Sequence, residues 1–373
     1  MRSLMVSISG FRFWIVFGVV FGLTVSLLPS KVQMPSGAAS GSSNAIEPVG
    51  AGMMAVKAQV AVAGSHPTLL QQQLDTLDVS AAQGNVGIGV LDLNTGEAWF
   101  RNGKQRFPMQ SVFKLPVGIV VLKLVDAGKL SLDQLVTISR PEFAPGYSPI
   151  LKEIRGNSSQ FTVRNLLERS VGMSDNTAAD ALVRLVGGPK RVTAILQAMN
   201  IRDIRVDRLE QQLQPDCVGM TNFHPELADE QKYAAAVEQI PAAVKKAALE
   251  RYLTDPRDTA TPEGMVDLLA KLQSRQLLSH RSTALLLKIA TDSPTGQQRL
   301  KAGLPKNWSI AHKTGTGPDV LGIGTATNDV GIVSSPKGRR IAIAVFVAGS
   351  KAPVEARERA MSNIASAVVK AIE

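Results

Sequence analysis

Ser111 and Lys114 are the residues whose types and spacing most directly predict chemistry. A serine at the start of a helix has the residue three positions later on the same face, so the Lys114 amine can reach the Ser111 hydroxyl. A serine hydroxyl is a poor nucleophile at neutral pH, and an amine whose charge is suppressed by its surroundings can accept its proton during attack. The pair therefore predicts catalysis through a serine nucleophile.

The Ser-x-x-Lys spacing alone is weak evidence, because it is expected by chance about once in a chain of this size. A second match, from Ser334 to Lys337, falls on a turn between predicted strands, where nothing holds the lysine over the serine. Ser111 instead follows a turn and opens an apolar helix. Only the pair at Ser111 has the context of an active site.

Two further motifs follow, a Ser-Asp-Asn triplet in a helix-breaking stretch and a Lys-Thr-Gly triplet on a predicted strand. In chain order the three motifs are Ser111-Val112-Phe113-Lys114, Ser174-Asp175-Asn176 and Lys313-Thr314-Gly315. Their order and separation resemble those of the class A serine β-lactamases, over roughly residue 66 to the C-terminus. Class C relatives would show Tyr-x-Asn at the second motif and class D relatives Ser-x-Val, so class A is the better match.

The resemblance implies a role for each of these polar residues. Ser174 would relay a proton to the nitrogen of the β-lactam ring, Asn176 would hold the substrate amide, and Lys313 would attract the substrate carboxylate and support Ser174. Cleavage of an amide does need a proton delivered to the leaving nitrogen and an oxyanion held by fixed donors. The reaction needs no metal and no organic cofactor.

Further contacts with the small-molecule β-lactam substrate are implied around the third motif. Thr314, Gly315 and Thr316 would bind the substrate, and the backbone N–H groups of Ser111 and Thr316 would hold the oxyanion. Tyr147 falls where members of the family carry an aromatic wall beside the site. The arginine that helps to bind the carboxylate in many relatives has no clear counterpart in the sequence, so Thr314, Thr316 and Lys313 are expected to take that task.

A β-lactamase must also activate water to release the acyl group, and a carboxylate is the usual solution. Glu210 lies 36 residues after Ser174, an offset that resembles that of the general-base glutamate in class A enzymes. Arg208 resembles the arginine at the neck of the family's Ω-loop, and Asp258 resembles its aspartate partner. Gln214, one helical turn after Glu210, stands where an asparagine usually shares the hydrolytic water.

The loop that follows Glu210 is much longer than the family usually carries, and we interpret residues 215–252 as an insertion. Glu226 is the alternative base, because a Pro-Glu-Leu sequence follows the catalytic glutamate in many relatives, although His224 would then occupy the base position. Helical spacing of apolar residues, broken at Pro241, predicts two short packed helices in 229–253. We expect the insertion to form a flap that affects bulky substrates.

The elements that must position these residues come from both ends of the chain. The predicted strands are 85–92, 97–101, 310–313, 322–333 and 341–348, and a final helix is predicted over 354–372. Helical patterns dominate between 111 and about 200, with breaks at 141–146 and 156–159. The expected fold class is α+β of the β-lactamase/transpeptidase type, with an antiparallel sheet built from N- and C-terminal strands and flanked by helices. An all-α subdomain is expected over about 111–300.

Composition argues against several other functions. The net charge is +10, but the basic residues are scattered and aromatic residues make up only 5%, so nucleic-acid binding is not expected. The four histidines are isolated, with no pair at the spacing that places two imidazoles on one metal. Cys217 is the only cysteine, so no disulfide can form within the chain.

The N-terminal segment predicts export. Two arginines flank the start of an apolar run from 13 to 28, so residues 1–30 are interpreted as a signal peptide or a retained membrane anchor. Residues 31–65 have the composition of a flexible tether, which leaves 66–373 for the catalytic domain. We expect a monomer exported to the periplasm, in contact with the membrane only through that anchor.

Two alternatives share the acylating residues. A D-Ala-D-Ala peptidase or transpeptidase would form the same acyl-enzyme but lack the deacylating glutamate. A tethered penicillin receptor would acylate once and signal, without hydrolysis. Glu210 and its loop are the features of the sequence that favour a β-lactamase over both.

Overall fold

The computed structural model describes residues 68–373. The signal peptide or anchor expected in residues 1–30 and the tether expected in 31–65 lie outside the described residues. Within the described part the α-helices are α1 (Leu69–Asp75), α2 (Lys114–Asp126), α3 (Val163–Leu167), α4 (Asn176–Val186), α5 (Pro189–Ala198), α6 (Glu210–Val218), α7 (Glu230–Glu238), α8 (Ala242–Thr254), α9 (Pro262–Gln273), α10 (His280–Thr291) and α11 (Val354–Ile372).

One antiparallel sheet joins the two ends of the described chain. The strands are β1 (Asn85–Asp92), β2 (Ala98–Arg101), β3 (Phe107–Pro108), β4 (Leu135–Ser139), β5 (Ser158–Thr162), β6 (Thr259–Ala260), β7 (Ser309–Thr316), β8 (Asp319–Val320), β9 (Ile323–Ser334) and β10 (Arg340–Ser350). The main sheet has the order β2-β1-β10-β9-β7, and β8 also pairs with β9. The expected α+β sheet built from N- and C-terminal strands is confirmed, since β1 pairs directly with β10.

The sheet is covered on both faces, and β10 shows how its sequence divides between them. Ile341, Ile343, Val345 and Val347 pack in one apolar cluster with α1 and α11, whereas Phe346 and the alternating alanines join the larger cluster that contains α2 and α9. Successive side chains of a strand point to opposite faces, so a strand buried on both faces is apolar throughout. The larger cluster, which contains α2 and α9, connects the sheet to the helices that carry the site.

The region between α2 and α4 is less helical than its sequence pattern predicts. β4 and β5 pair as a small antiparallel hairpin, with Leu135 opposite Thr162 and Ser139 opposite Ser158. The prediction of a helical pattern was wrong at β4 and at the end of β5, whereas the start of β5 falls in the predicted break at 156–159. The reason is that β5 is polar apart from Phe161 and has no clear alternation of its own, so pairing with β4 decides its conformation.

The long segment between α6 and β6 forms two helices, α7 and α8, separated at Pro241. This confirms the prediction of two short helices on either side of that proline, which lacks an N–H to continue a helix.

None of the helices described over residues 68–373 combines the length and the apolar composition that a membrane span requires.

Candidate active site

Ser111 lies in a tight helical turn, Gln110–Phe113, that leads directly into α2. The turn is pressed against β7, because a Cβ placed on Gly315 would lie 2.4 Å from the carbonyl oxygen of Met109. Asn328 of β9 donates from Nδ2 to two carbonyl oxygens of the segment before the turn, at 2.9 and 3.0 Å. The glycine of the Lys-Thr-Gly motif is therefore required for the close approach that brings β7 beside the nucleophile.

Lys114 is the first residue of α2 and is fully buried. Its Nζ donates to Ser111 Oγ at 2.8 Å, to the carbonyl oxygen of Ser174 at 2.8 Å and to Asn176 Oδ1 at 2.6 Å. Glu210 Oε1 lies 2.9 Å from the same nitrogen. A buried polar group is stable only when it has hydrogen-bond partners of this kind. The amine therefore stands between the serine hydroxyl and a buried carboxylate.

Ser174 follows a π-helical turn, Glu168–Gly172, and has a φ of 67°, in the left-handed region that non-glycine residues rarely adopt. Lys313 Nζ donates to Ser174 Oγ at 2.9 Å and to the carbonyl oxygen of Thr314 at 2.9 Å. Burial, together with the neighbouring Lys114, lowers the pKa of Lys313 well below its usual value. Unusual backbone conformations of this kind occur at functional sites, where the surrounding structure holds them.

Asn176, the first residue of α4, is buried and held at both ends of its amide. Its Oδ1 accepts the hydrogen bond from Lys114, and its Nδ2 donates to the carbonyl oxygen of Pro145 at 2.8 Å. The backbone N–H of Asn176 donates to the carbonyl oxygen of Tyr147 at 2.9 Å. The Tyr147 side chain is 50% exposed. The loop that carries the expected aromatic wall is thus attached to the start of α4.

Glu210 is buried at the first position of α6. Its backbone N–H donates to Asp180 Oδ1 at 2.6 Å, and that of Gln211 donates to Asp180 Oδ2 at 3.1 Å. Burial and the nearby Glu210 carboxylate raise the pKa of Asp180 to about 7. Gln214 Nε2 donates to Glu210 Oε2 at 2.8 Å, as its position one turn later allows. Glu210 therefore contacts Lys114 through one oxygen and Gln214 through the other.

The neck of the long loop is a buried ion pair between Arg208 and Asp258. Arg208 Nε donates to Asp258 Oδ2 at 2.6 Å, and Arg208 Nη1 lies 2.8 Å from Asp216 and 3.4 Å from Asp255. The backbone N–H groups of Asp207 and Arg208 both donate to Asp258 Oδ1, at 2.7 and 3.0 Å. Burial raises the pKa of Asp258, although the Arg208 charge opposes that shift. The two ends of the loop are thus joined just before Glu210.

Comparisons with known proteins agree with this geometry. The model of the β-lactamase enzyme family matches residues 69–372. β-Lactamase VEB-1 of Pseudomonas aeruginosa is 33% identical over 290 residues, which cover 77% of this chain and 85% of that protein. Extended-spectrum β-lactamase PER-1 of the same organism is 33% identical over 298 residues, which cover 80% of this chain and 85% of that protein. This chain belongs to the β-lactamase enzyme family.

Solved structures identify the class of this β-lactamase. An ancestral class A β-lactamase superposes with a TM-score of 0.65 at 32% identity, covering 81% of this chain and 100% of that chain. A β-lactamase from Chitinophaga pinensis superposes with a TM-score of 0.66 at 30% identity, covering 82% of this chain and 99% of that chain. The match to the ancestral class A enzyme confirms the class A identification made from the three motifs.

Sequence reasoning missed one buried arginine of this β-lactamase, Arg299. Its Nη2 donates to Thr316 Oγ1 at 2.7 Å, its Nη1 donates to the carbonyl oxygen of Gly315 at 3.2 Å, and its Nε pairs with Glu358 at 3.0 Å. Thr314 Oγ1 makes a separate hydrogen bond, at 2.9 Å, to Thr295 Oγ1. Arg299 lies between α10 and β7 in an irregular stretch without a local signal, so only the fold places it beside the third motif.

Other candidates lie away from the nucleophile. Glu226, the alternative base, is exposed and pairs with His224 at 2.8 Å. Arg339 pairs with Asp92, near the turn between β9 and β10, and does not supply the missing arginine. Among residues 68–373, no group of three or more histidine, cysteine, aspartate or glutamate side chains is arranged to hold a metal.

Proposed function

We propose that this β-lactam hydrolase opens the ring by attack of Ser111 Oγ on the ring carbonyl carbon, with Lys114 acting as a neutral amine that accepts the hydroxyl proton. The 2.8 Å contact between Lys114 Nζ and Ser111 Oγ is the single observation that carries this proposal. The attack places negative charge on the carbonyl oxygen. Backbone N–H groups of Ser111 and Thr316 hold that charge, because fixed donors in a partly closed site need no reorganisation as it develops.

Collapse of the tetrahedral intermediate breaks the ring C–N bond, and the nitrogen takes a proton from the Ser174 hydroxyl. Lys313 Nζ, 2.9 Å from Ser174 Oγ, supports this transfer. Lys114 passes to Ser174 the proton that it took from Ser111, so both residues return to their starting protonation states. Lys313, Thr314 and Thr316 bind the substrate carboxylate, and Arg299 adds positive charge behind Thr316. The second hydrogen of Asn176 Nδ2 is available for the substrate amide. Tyr147 forms a wall of the site.

Deacylation then regenerates the enzyme. Glu210 removes a proton from a water molecule, which attacks the ester carbonyl. The ester C–O bond then breaks, and Glu210 returns this proton to the Ser111 oxygen. The direct hydrogen bond from Gln214 to Glu210 holds the two side chains together, which supports placing the water beside the pair, within reach of both. The ion pair of Arg208 and Asp258 keeps the base in place, because it closes the loop just before α6.

The test compares Glu210→Gln with wild type by mass spectrometry after mixing each with a penicillin. The amide keeps the size of the side chain but cannot accept the water proton, so we expect turnover to fall by about 10²–10⁴-fold and the acyl-adduct to persist. Glu226→Gln is the matched control, because this exposed glutamate contacts His224 and not the site.

Each other result has a definite meaning. A long-lived adduct on wild type without turnover would indicate the peptidase or receptor alternative. Rapid turnover by Glu210→Gln would show that another group activates water. A loss of turnover in Glu226→Gln would show that this exposed glutamate contributes to hydrolysis, as the alternative base requires.

We also propose that the protein is exported, as a periplasmic monomer or one tethered to the inner membrane. The apolar run from 13 to 28, preceded by arginine, supports export. Fractionation of cells that express the full chain would test it, with recovery of activity from the cytoplasm as the contrary result.

A further inference from the structure

Tyr252, on the insertion helix α8, reaches the residue next to the nucleophile. Its side chain is buried, and its hydroxyl lies 2.6 Å from Gln110 Nε2. Gln110 immediately precedes Ser111 and has a φ of 47°, which turns this residue out of the regular helical path. Gln110 Nε2 also lies 3.4 Å from Cys217 Sγ on α6. The insertion thus contacts the active site through a buried polar group.

Gln110 is in turn bonded to the residue expected to share the hydrolytic water. Gln214 Nε2 donates to Gln110 Oε1 at 3.0 Å and to Glu210 Oε2 at 2.8 Å. An ionised carboxylate only accepts hydrogen bonds, so Gln214 must present its amide nitrogen to Glu210. Gln110 must then present its oxygen to Gln214 and its nitrogen to Tyr252. The orientation of each amide follows from its neighbour along the chain of bonds.

This arrangement commits both hydrogens of the Gln214 amide and leaves its Oε1 to accept a hydrogen bond from water. Burial raises the pKa of Tyr252 well above its usual value, so its hydroxyl stays neutral and available to Gln110. The position of Tyr252 relative to α6 is tightly constrained, because a Cβ on Gly219, just after α6, would lie 2.9 Å from Val244 and 3.1 Å from Ala248 of α8.

We propose that Tyr252 and Gln110 are positioning residues for deacylation, which hold the Gln214 amide in the orientation that receives the hydrolytic water. The insertion then contributes to the rate of acyl-enzyme hydrolysis, in addition to any effect on bulky substrates. Acylation does not depend on this chain of bonds, since Lys114 and Ser174 contact none of its members except Glu210. The inference rests on the proposed role of Glu210 as the base.

The experiment measures acylation and deacylation separately in Tyr252→Phe. Rapid quench with a penicillin gives the acylation rate, and loss of the adduct by mass spectrometry after removal of free penicillin gives the deacylation rate. We expect deacylation to fall about tenfold with acylation unchanged, because Gln110 loses the partner that fixes its amide. Tyr233→Phe is the matched control, since the Tyr233 hydroxyl, also in the insertion, has no hydrogen-bond partner among residues 68–373.

A second measurement shows whether Tyr252 acts through Gln214. In a Gln214→Leu background the Tyr252→Phe change should have no further effect on deacylation, because members of one chain of bonds are not additive. If Tyr252→Phe does not fold, Gln110→Met breaks the same chain and should slow deacylation to a similar extent.

Two results would overturn the inference: equal deacylation rates in Tyr252→Phe and Tyr233→Phe, or parallel losses of acylation and deacylation, which would indicate a structural role only. Failure of the proposed function is distinguishable from both outcomes. It would appear as a wild type without turnover, or as Glu210→Gln without a persistent adduct.

Discussion

The residues proposed for acylation and those proposed for deacylation are held in place in different ways. Ser111 lies in the turn that leads into α2, Lys114 opens α2, and Lys313 lies on β7, so all three are positioned by elements that pack into the apolar clusters on the two faces of the sheet. Glu210 lies on α6, whose first turn is held by the carboxylate of Asp180 and by the ion pair at the loop neck. Removing one partner of a buried polar contact costs more free energy than removing one group of an apolar contact, because the remaining polar group stays buried without a partner. Deacylation is therefore expected to be the more fragile step.

The largest expected effect concerns the acylation residues. Ser111→Ala removes the nucleophile, so we expect no acyl-adduct and a loss of turnover of about 10³-fold or more. Ser334→Ala, in the second Ser-x-x-Lys match, is the control and should leave turnover unchanged. Mass spectrometry with a penicillin measures both. An acyl-adduct on Ser111→Ala would show that another residue is the nucleophile. The comparison between acylation and deacylation residues would then no longer hold.

A smaller effect is expected from opening the loop neck. Arg208→Ala leaves Asp258 buried without its charged partner, so we expect the free energy of unfolding to fall by about 3 kcal/mol. Arg257→Ala removes an ion pair to Asp255 from a side chain that is 48% exposed, and should cost less than about 1 kcal/mol.

Urea denaturation at neutral pH measures the decrease in the free energy of unfolding for each variant. The rates of acylation and deacylation show which chemical step each substitution affects. Deacylation should slow more than acylation in Arg208→Ala. Equal slowing of both steps would contradict the separation between core-held and loop-held residues.

The last expected effect is of a different kind, a pH dependence of stability at Asp180. The pKa of Asp180 is about 7 in the folded protein and 3.8 in the unfolded chain. At a pH between these two values, Asp180 is therefore protonated in the native state and ionised in the unfolded state. The free energy of unfolding should therefore fall as pH rises from about 4 to about 7, by at most about 1.4 kcal/mol per pH unit. Asp180→Asn should remove this part of the slope, as urea denaturation at several pH values would show. Identical slopes in both proteins would mean that Asp180 is ionised throughout.

Local sequence patterns predicted much of the framework. β1 and α11 have the predicted bounds of 85–92 and 354–372, and α7 and α8 lie on either side of Pro241 as expected. Alternation and helical spacing are local properties, so they can be found without the fold. The β4–β5 hairpin was missed because its polar strand is stabilised by its partner and not by its own pattern.

The sequence by itself determined the three motifs, their class A resemblance and the residues proposed for both chemical steps. Only the tertiary structure decided which polar side chains support them: Arg299 beside Thr316, Asp180 beneath Glu210, and Tyr252 against Gln110, which is 142 residues away in the chain. The physical reason is that these contacts are single buried hydrogen bonds between distant segments. Such a bond leaves no periodicity in the sequence, and it exists only once the core has brought both partners together.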